Sequence, residues 1–193
     1  MGGAVRRALA LVSAIAGARG RGRRCTSMSL LVAYCVVAGP ALAASQRDKD
    51  DCTSNDPDRV IAGCARIIQD RLETTKSLAT AYNNRGSGYF AKGDFNRAIA
   101  DLSEAIRLDP KDVTAYNRRG LAYDNKGDTG RAIADYSEAI RLDAKLAVTY
   151  FNRGRAYDSK DDIDRAIADY SEVIQLDRKY ASAYAYRGRA FES

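Results

Sequence analysis

The chain of 193 residues contains no histidine. That absence removes the side chain most often used as a general base, as the orienter of a nucleophile and as a zinc ligand. No glycine-rich phosphate loop occurs, and the acidic residues are spread periodically instead of converging on one cleft. Catalysis is therefore not expected, and neither is a cofactor or a metal. Long hydrophobic runs are also missing. The apolar stretch SLLVAYCVVAG at 29–39 is about half of the roughly 20 residues that a spanning helix needs.

Charge of one sign is in excess, with a net of +6, but its distribution removes the nucleic-acid reading it first suggests. Residues 1–43 hold six arginines (Arg6, Arg7, Arg19, Arg21, Arg23, Arg24) and no acid, which leaves 25 basic and 25 acidic residues over 44–193. The overall charge of that remainder argues for no nucleic-acid partner. The basic excess belongs to a leader instead. RGRGRRCTSM at 19–28 is cationic, the apolar run follows, and PALAASQ places Ala41 and Ala43 as in an A-x-A cleavage site. The order predicts a signal peptide over 1–43, cut after Ala43, and a periplasmic or secreted product with no membrane span. An uncleaved membrane anchor is the alternative.

Cysteine is scarce. Cys25 and Cys35 leave with the leader, and Cys52 and Cys64 remain. Two thiols are too few for a closed four-ligand zinc site, and an oxidising compartment permits a disulfide between them. Two unlinked thiols are the other reading.

What the sequence has in abundance is repetition. Arg-Gly recurs at 85–86, 119–120, 153–154 and 187–188, a period of 34 residues. The units are 79–112, 113–146, 147–180 and a partial 181–193; the first two agree at 23 of 34 positions, the second and third at 20. Each unit carries two helical patterns, as in TAYNRRGLAYDNK at 114–126 and RAIADYSEAIRL at 131–142, parted by KGD at 126–128. Glycine suits the end of the first helix and Asp128 the cap of the second. A hairpin of this kind cannot bury its faces alone and must stack on its neighbours. The recurrent glycine is expected where helices approach closely, against the small Ala98, Ala132 and Ala166. The preceding Arg85, Arg119 and Arg153 are expected to pair with Asp101, Asp135 and Asp169 at the packing seam, within a unit or shared with the next; a solvated arginine is the bland alternative. Nine of the twelve tyrosines keep repeat positions, which marks them as core.

These residues resemble the tetratricopeptide repeat (TPR) family, a 34-residue helix–turn–helix with small residues at positions 8, 20 and 27. Position 8 is Gly86, Gly120, Gly154 and Gly188; position 20 is Ala98, Ala132 and Ala166; position 27 is Ala105, Ala139 and Val173. The proline often found at position 32 is kept only as Pro110, and arginine stands at position 7, where the family is usually apolar. The wording resembles exported bacterial members. The resemblance implies an all-α fold, an α-solenoid of hairpins in a right-handed superhelical stack.

Before the first unit, RVIAGCARIIQD at 59–70 aligns with RAIADLSEAIRL at 97–108. It reads as the second helix of a degenerate unit within a capping segment, 44–78, started by Asp56 and Pro57. Cys64 falls where Leu102 and Tyr136 fall, so a bridge to Cys52 would pin the incoming strand over the open end. The partial unit at 181–193 is a first helix that caps the other end, or an apolar edge for a second copy.

The family places first helices along a concave groove. The implied groove residues are Asn83, Asn84, Ser87 and Phe90; Asn117, Arg118, Leu121 and Asp124; Phe151, Asn152, Arg155 and Asp158; then Tyr186 and Arg189. Amides can bond an extended peptide, and arginines can hold carboxylates bidentately. The carboxylate clamp of some members is not expected, because its lysine and asparagine positions hold Asn83, Asn117 and Phe151, and Ser87, Leu121 and Arg155. The expected function is a non-catalytic scaffold for an unidentified peptide or protein in the cell envelope, with self-assembly through the C-terminal helix as the alternative.

Overall fold

The computed structural model describes residues 46–69 and 73–192. The leader, its cleavage and its possible anchoring lie outside the described residues. A helical stretch at 46–52 is followed by α1 (Pro57–Gln69), α2 (Thr75–Ala91), α3 (Phe95–Leu108), α4 (Val113–Asn125), α5 (Thr129–Leu142), α6 (Ala147–Asp158), α7 (Ile163–Leu176) and α8 (Ala181–Glu192). No strand occurs among the described residues. Each helix packs on the next in chain order, so the array is an all-α solenoid of antiparallel hairpins.

Local signals start and stop the helices as their chemistry requires. The side chains of Asp94, Asp112, Asp128 and Asp162 accept the backbone N–H three residues on, capping α3, α4, α5 and α7. Leu146 stands where Asp112 stands one unit earlier, and α6 has no side-chain cap. The first unit departs from the period: α2 begins at Thr75, four residues before 79, because Thr74 accepts from Ser77 N–H and supplies an earlier cap. Within two hairpins the turn needs a left-handed residue, which Gly93 (φ 75°) and Gly127 (φ 78°) provide freely. In the third hairpin the same place is Asp161, at φ 61°.

Gly86, Gly120 and Gly154 meet the large residue of the second helix before any alanine. A Cβ at Gly86 would stand 2.8 Å from Leu102 Cγ, at Gly120 2.7 Å from Tyr136 Cε1, and at Gly154 2.8 Å from Tyr170 Cε1. The glycine makes room for the large residue of the second helix, which is buried at all three places; backbone of Ala98 reaches Gly86 only as a second neighbour. The ring requires the space, which corrects the expected small-on-small contact.

The seam arginines are paired within their own units. Arg85 Nε and Nη2 donate to Asp101 at 2.7 and 2.8 Å, Arg119 to Asp135 at 2.8 and 2.7 Å, and Arg153 to Asp169 at 2.9 and 2.8 Å. The remaining Nη1 of Arg119 and of Arg153 donates to the preceding unit, to Ser103 and Ser137, at 3.0 Å each. One guanidinium fork therefore closes its own hairpin and ties it to the one before. Arg187 keeps the backward bond to Ser171, at 3.3 Å.

The capping segment is a hairpin in its own right. The incoming segment is helical, not an extended strand. Its helix comes so close to α1 that a Cβ at Gly63 would stand 2.6 Å from Asp51 Cβ and 2.8 Å from Asp48 O. Arg59 and Arg66 both donate to Asp51. Cys52 and Cys64 are joined, Cα to Cα 4.7 Å, with Cys64 at the aligned position of Leu102 in the next hairpin. A loop of this size contributes about 3 kcal/mol in the chain-entropy model.

Candidate partner-binding groove

The first helices of successive hairpins touch directly, α2 on α4 and α4 on α6. That proximity puts them on the inner side of the stack, and their polar positions form its wall. At the N-terminal end the wall is already internally bonded. Asn83 is 6% exposed; its Nδ2 donates to Asp112 Oδ2 at 2.6 Å, and its Oδ1 accepts from Arg118 Nη1 at 2.6 Å. Asn83 is thus a strut between units and not a free groove amide, because it bridges the Asp112 cap and the Arg118 guanidinium. Asn84 faces Cys52 Sγ at 4.0 Å, and Ser87 donates to Asn83 O at 3.0 Å. Phe90 packs edge-on against Phe95, centroids 5.4 Å apart, and belongs to the core. Asn84, Ser87 and Arg118 line a cleft of about 320 Å³ whose opposite wall is the capping loop at 53–57.

Farther along, Asn117 Oδ1 accepts from the buried Asn152 Nδ2 at 3.5 Å, so Asn152 also acts between units. Leu121 packs against the core of the second hairpin. Asp124, Arg155 and Asp158 make no side-chain ion pair or hydrogen bond among the described residues, and Arg155 is exposed. Phe151 sits in an aromatic cluster with Tyr170 (5.9 Å), Tyr180 (5.1 Å) and Tyr186 (5.2 Å). The Arg189 guanidinium stacks on Tyr186, 4.2 Å from its centroid.

Beneath these charges lie two features that sequence periodicity did not single out. The hydroxyls of Tyr136 and Tyr170 are buried without a hydrogen-bond partner. Burial pushes both phenols well above their ordinary range; Asp124 raises and Arg155 lowers that of Tyr136, while Asp158, Arg155 and Arg189 act on Tyr170. The Arg155 charge acts on both phenols in the same direction, lowering each. The periodicity marked these tyrosines as core; that their polar ends reach groove charges carries no signal in the repeat pattern. The wall at 53–57 was likewise invisible, apart from the Cys52–Cys64 pairing that anchors it. Beside the unpaired Asp124, Arg155 and Asp158, the side chains of Asn84, Asn117, Arg118 and Arg189 stay at least partly exposed. Among the described residues no group of His, Cys, Asp and Glu could hold a metal ion, and no helix is long and apolar enough to cross a membrane.

A solenoid of 34-residue helical hairpins with an open inner wall defines a helical-repeat protein. Family models identify the hairpins: one described as TPR repeat matches residues 86–127, and Tetratricopeptide repeat matches 113–146 and 147–180. The chain belongs to the tetratricopeptide-repeat family. No curated protein matches it in sequence. Among solved structures it is similar to the crystal structure of MamA, with TM-score 0.68 and 26% identity over 75% of this chain and 82% of that one. The first TPR of Spaghetti (RPAP3), bound to the HSP90 peptide SRMEEVD, superposes with TM-score 0.58 and 23% identity over 59% of this chain and 90% of its own. The second TPR domain of human RPAP3, in complex with the HSP70 peptide SGPTIEEVD, gives TM-score 0.60 and 23% identity over 62% and 100%. These last two likenesses concern the fold.

Proposed function

We propose that the chain is a non-catalytic interaction scaffold that takes a peptide or protein partner along its inner wall, in the cell envelope. The observation that carries this reading is the set of unpaired charges on that wall. Asp124, Arg155 and Asp158 lack ionic partners, whereas the seam arginines of the same helices are fully paired. Charges without ionic partners on that wall suit a ligand that brings its own polar groups. The two RPAP3 domains, which hold peptides, lend the fold-level analogy. Export follows from the leader sequence, and the Cys52–Cys64 bond is compatible with an oxidising compartment. The test is a pull-down from envelope extract with the protein and with an Asn117/Arg118/Arg155 triple alanine variant. Loss of a partner from the variant alone supports groove binding, and equal recovery by both contradicts it.

A second reading, self-assembly through α8, is favoured by one place. Tyr184 is 45% and Phe191 68% exposed, and nothing stands within 4 Å of a Cβ at Gly188. Light scattering over a concentration series tests it: a mass that stays at one chain contradicts assembly.

A further inference from the structure

We infer that the cleft between the capping loop and α2 is a binding site for a carboxylate carried on a short apolar stem. The inference goes beyond the groove reading, since a small acid fills this cleft with no peptide along the wall.

The argument starts from Arg118. Its counterparts at the same repeat position are Asn84, Asn152 and Tyr186, so the cation is peculiar to this place. The side chain is half-buried, and loss of solvent holds its pKa below the ordinary arginine value, with only Asp112 opposing. Asp112 makes no direct ion pair with it; the neutral Asn83 amide stands between the two as a hydrogen-bonded bridge. Arg118 makes no ion pair among the described residues; its hydrogen bond to Asn83 uses Nη1 alone. The rest of the donor fork is left to the cleft it lines. A desolvated guanidinium without a directly paired counterion is unfavourable, and a bidentate carboxylate is its best-matched relief.

The walls set the rest of the ligand. Pro57, Val60 and Ala91 are apolar, and Asn55, Asn84 and Ser87 are polar but neutral. One cation facing such walls suits a monoanion; a phosphate dianion brings a second charge that nothing here answers. A volume of about 320 Å³ is at the small end for ligand pockets, which limits the stem to a few carbons. The loop that forms the outer wall is held by the Cys52–Cys64 bond on one side and by the Asp56 cap, which accepts from Asp58 N–H at 2.9 Å, on the other. The pocket is therefore preformed.

The test follows the Arg118 side-chain N–H signal by nitrogen-15 NMR of the full chain during titration with isobutyrate, isobutyramide and inorganic phosphate. Isobutyrate is expected to shift it saturably, with isobutyramide and phosphate at least about tenfold weaker. Ala91→Phe, which fills the cleft from an exposed position and leaves Arg118 intact, abolishes the shift, and so does Arg118→Gln when read on the Asn84 amide. Ala134→Ser, on the exposed face of α5, leaves binding unchanged, and the titration needs no partner from an extract, so a failure of the groove reading is separable. A tripeptide ending in valine carboxylate, compared with its amide, assigns the source: tighter binding than isobutyrate means a peptide terminus, weaker binding a free acid. Equal response to isobutyrate and isobutyramide, no response to either, or undiminished binding by Ala91→Phe overturns the proposal.

Discussion

Alanine placed at Gly120 and at Gly188 should move stability in opposite directions, although both glycines follow an arginine and precede an alanine by two residues. At Gly120 the new methyl would stand 2.7, 2.9 and 3.1 Å from Cε1, Cδ1 and Cζ of Tyr136. That ring is fully buried and packs against the core of its hairpin, so it cannot swing into solvent. Overpacking of this kind costs about 1–3 kcal/mol, against a helix-propensity gain of about 1 kcal/mol for losing glycine. The balance is a loss of about 1 kcal/mol. At Gly188 no atom lies within 4 Å, and only the propensity gain of about 1 kcal/mol remains. Because 1 kcal/mol is about 2–4 °C in a chain of this size, the two variants should melt about 4–8 °C apart. Thermal unfolding followed by far-ultraviolet circular dichroism reads the difference. A Gly120→Ala protein melting at or above Gly188→Ala would refute the claim that this glycine exists to admit the ring.

Asp161 sits at φ 61°, where its counterparts are glycines; Asp161→Gly should stabilise by about 1 kcal/mol, seen as a higher melting temperature, and a lower one contradicts the strain. Arg119→Met leaves the buried Asp135 without its counterion and should cost about 3 kcal/mol in urea unfolding. Adding Asp135→Leu should recover most of that loss, and a single variant as stable as the parent argues against the seam pair. Acid should act through the helix caps. The Arg97 N–H holds Asp94 low, and the Arg131 and Arg165 guanidinium groups hold Asp128 and Asp162 low. Folded values below the unfolded one mean that this stability is complete above about pH 4 and lost as pH falls through the folded values. With no histidine, the melting temperature should stay level between about pH 5 and 8; a slope in that window would contradict the assignment.

The fold was legible because its signal is covariant with position: a period of 34 residues fixes two helices, their caps and the seam arginines at once. Asp128 as cap and Gly127 as turn could be read from KGD alone, since only those chemistries suit those places. What could not be read were contacts between residues of different character. The glycine-to-ring packing was mistaken for glycine-to-alanine because a period shows that Gly120 and Tyr136 recur, not that they touch. The groove was half legible for a similar reason. A family position marks where a side chain starts, but Asn83 and Asn152 are consumed by neighbours one unit away, and Phe90 and Leu121 turn into the core. Arg118 lies in a cleft only because a disulfide-held loop without repeat character stands opposite it.

The central claim is that a partner lies on the inner wall, and photocrosslinking tests it most directly. A benzophenone side chain is placed in turn at Asp124 or Arg155, on the wall, and at Ala134, on the exposed face of α5, and each protein is irradiated in extract of the source cells. The account predicts one discrete adduct from both wall positions and none from Ala134. Adducts of equal yield from Ala134, or none from the wall while the outer position reacts, would contradict it.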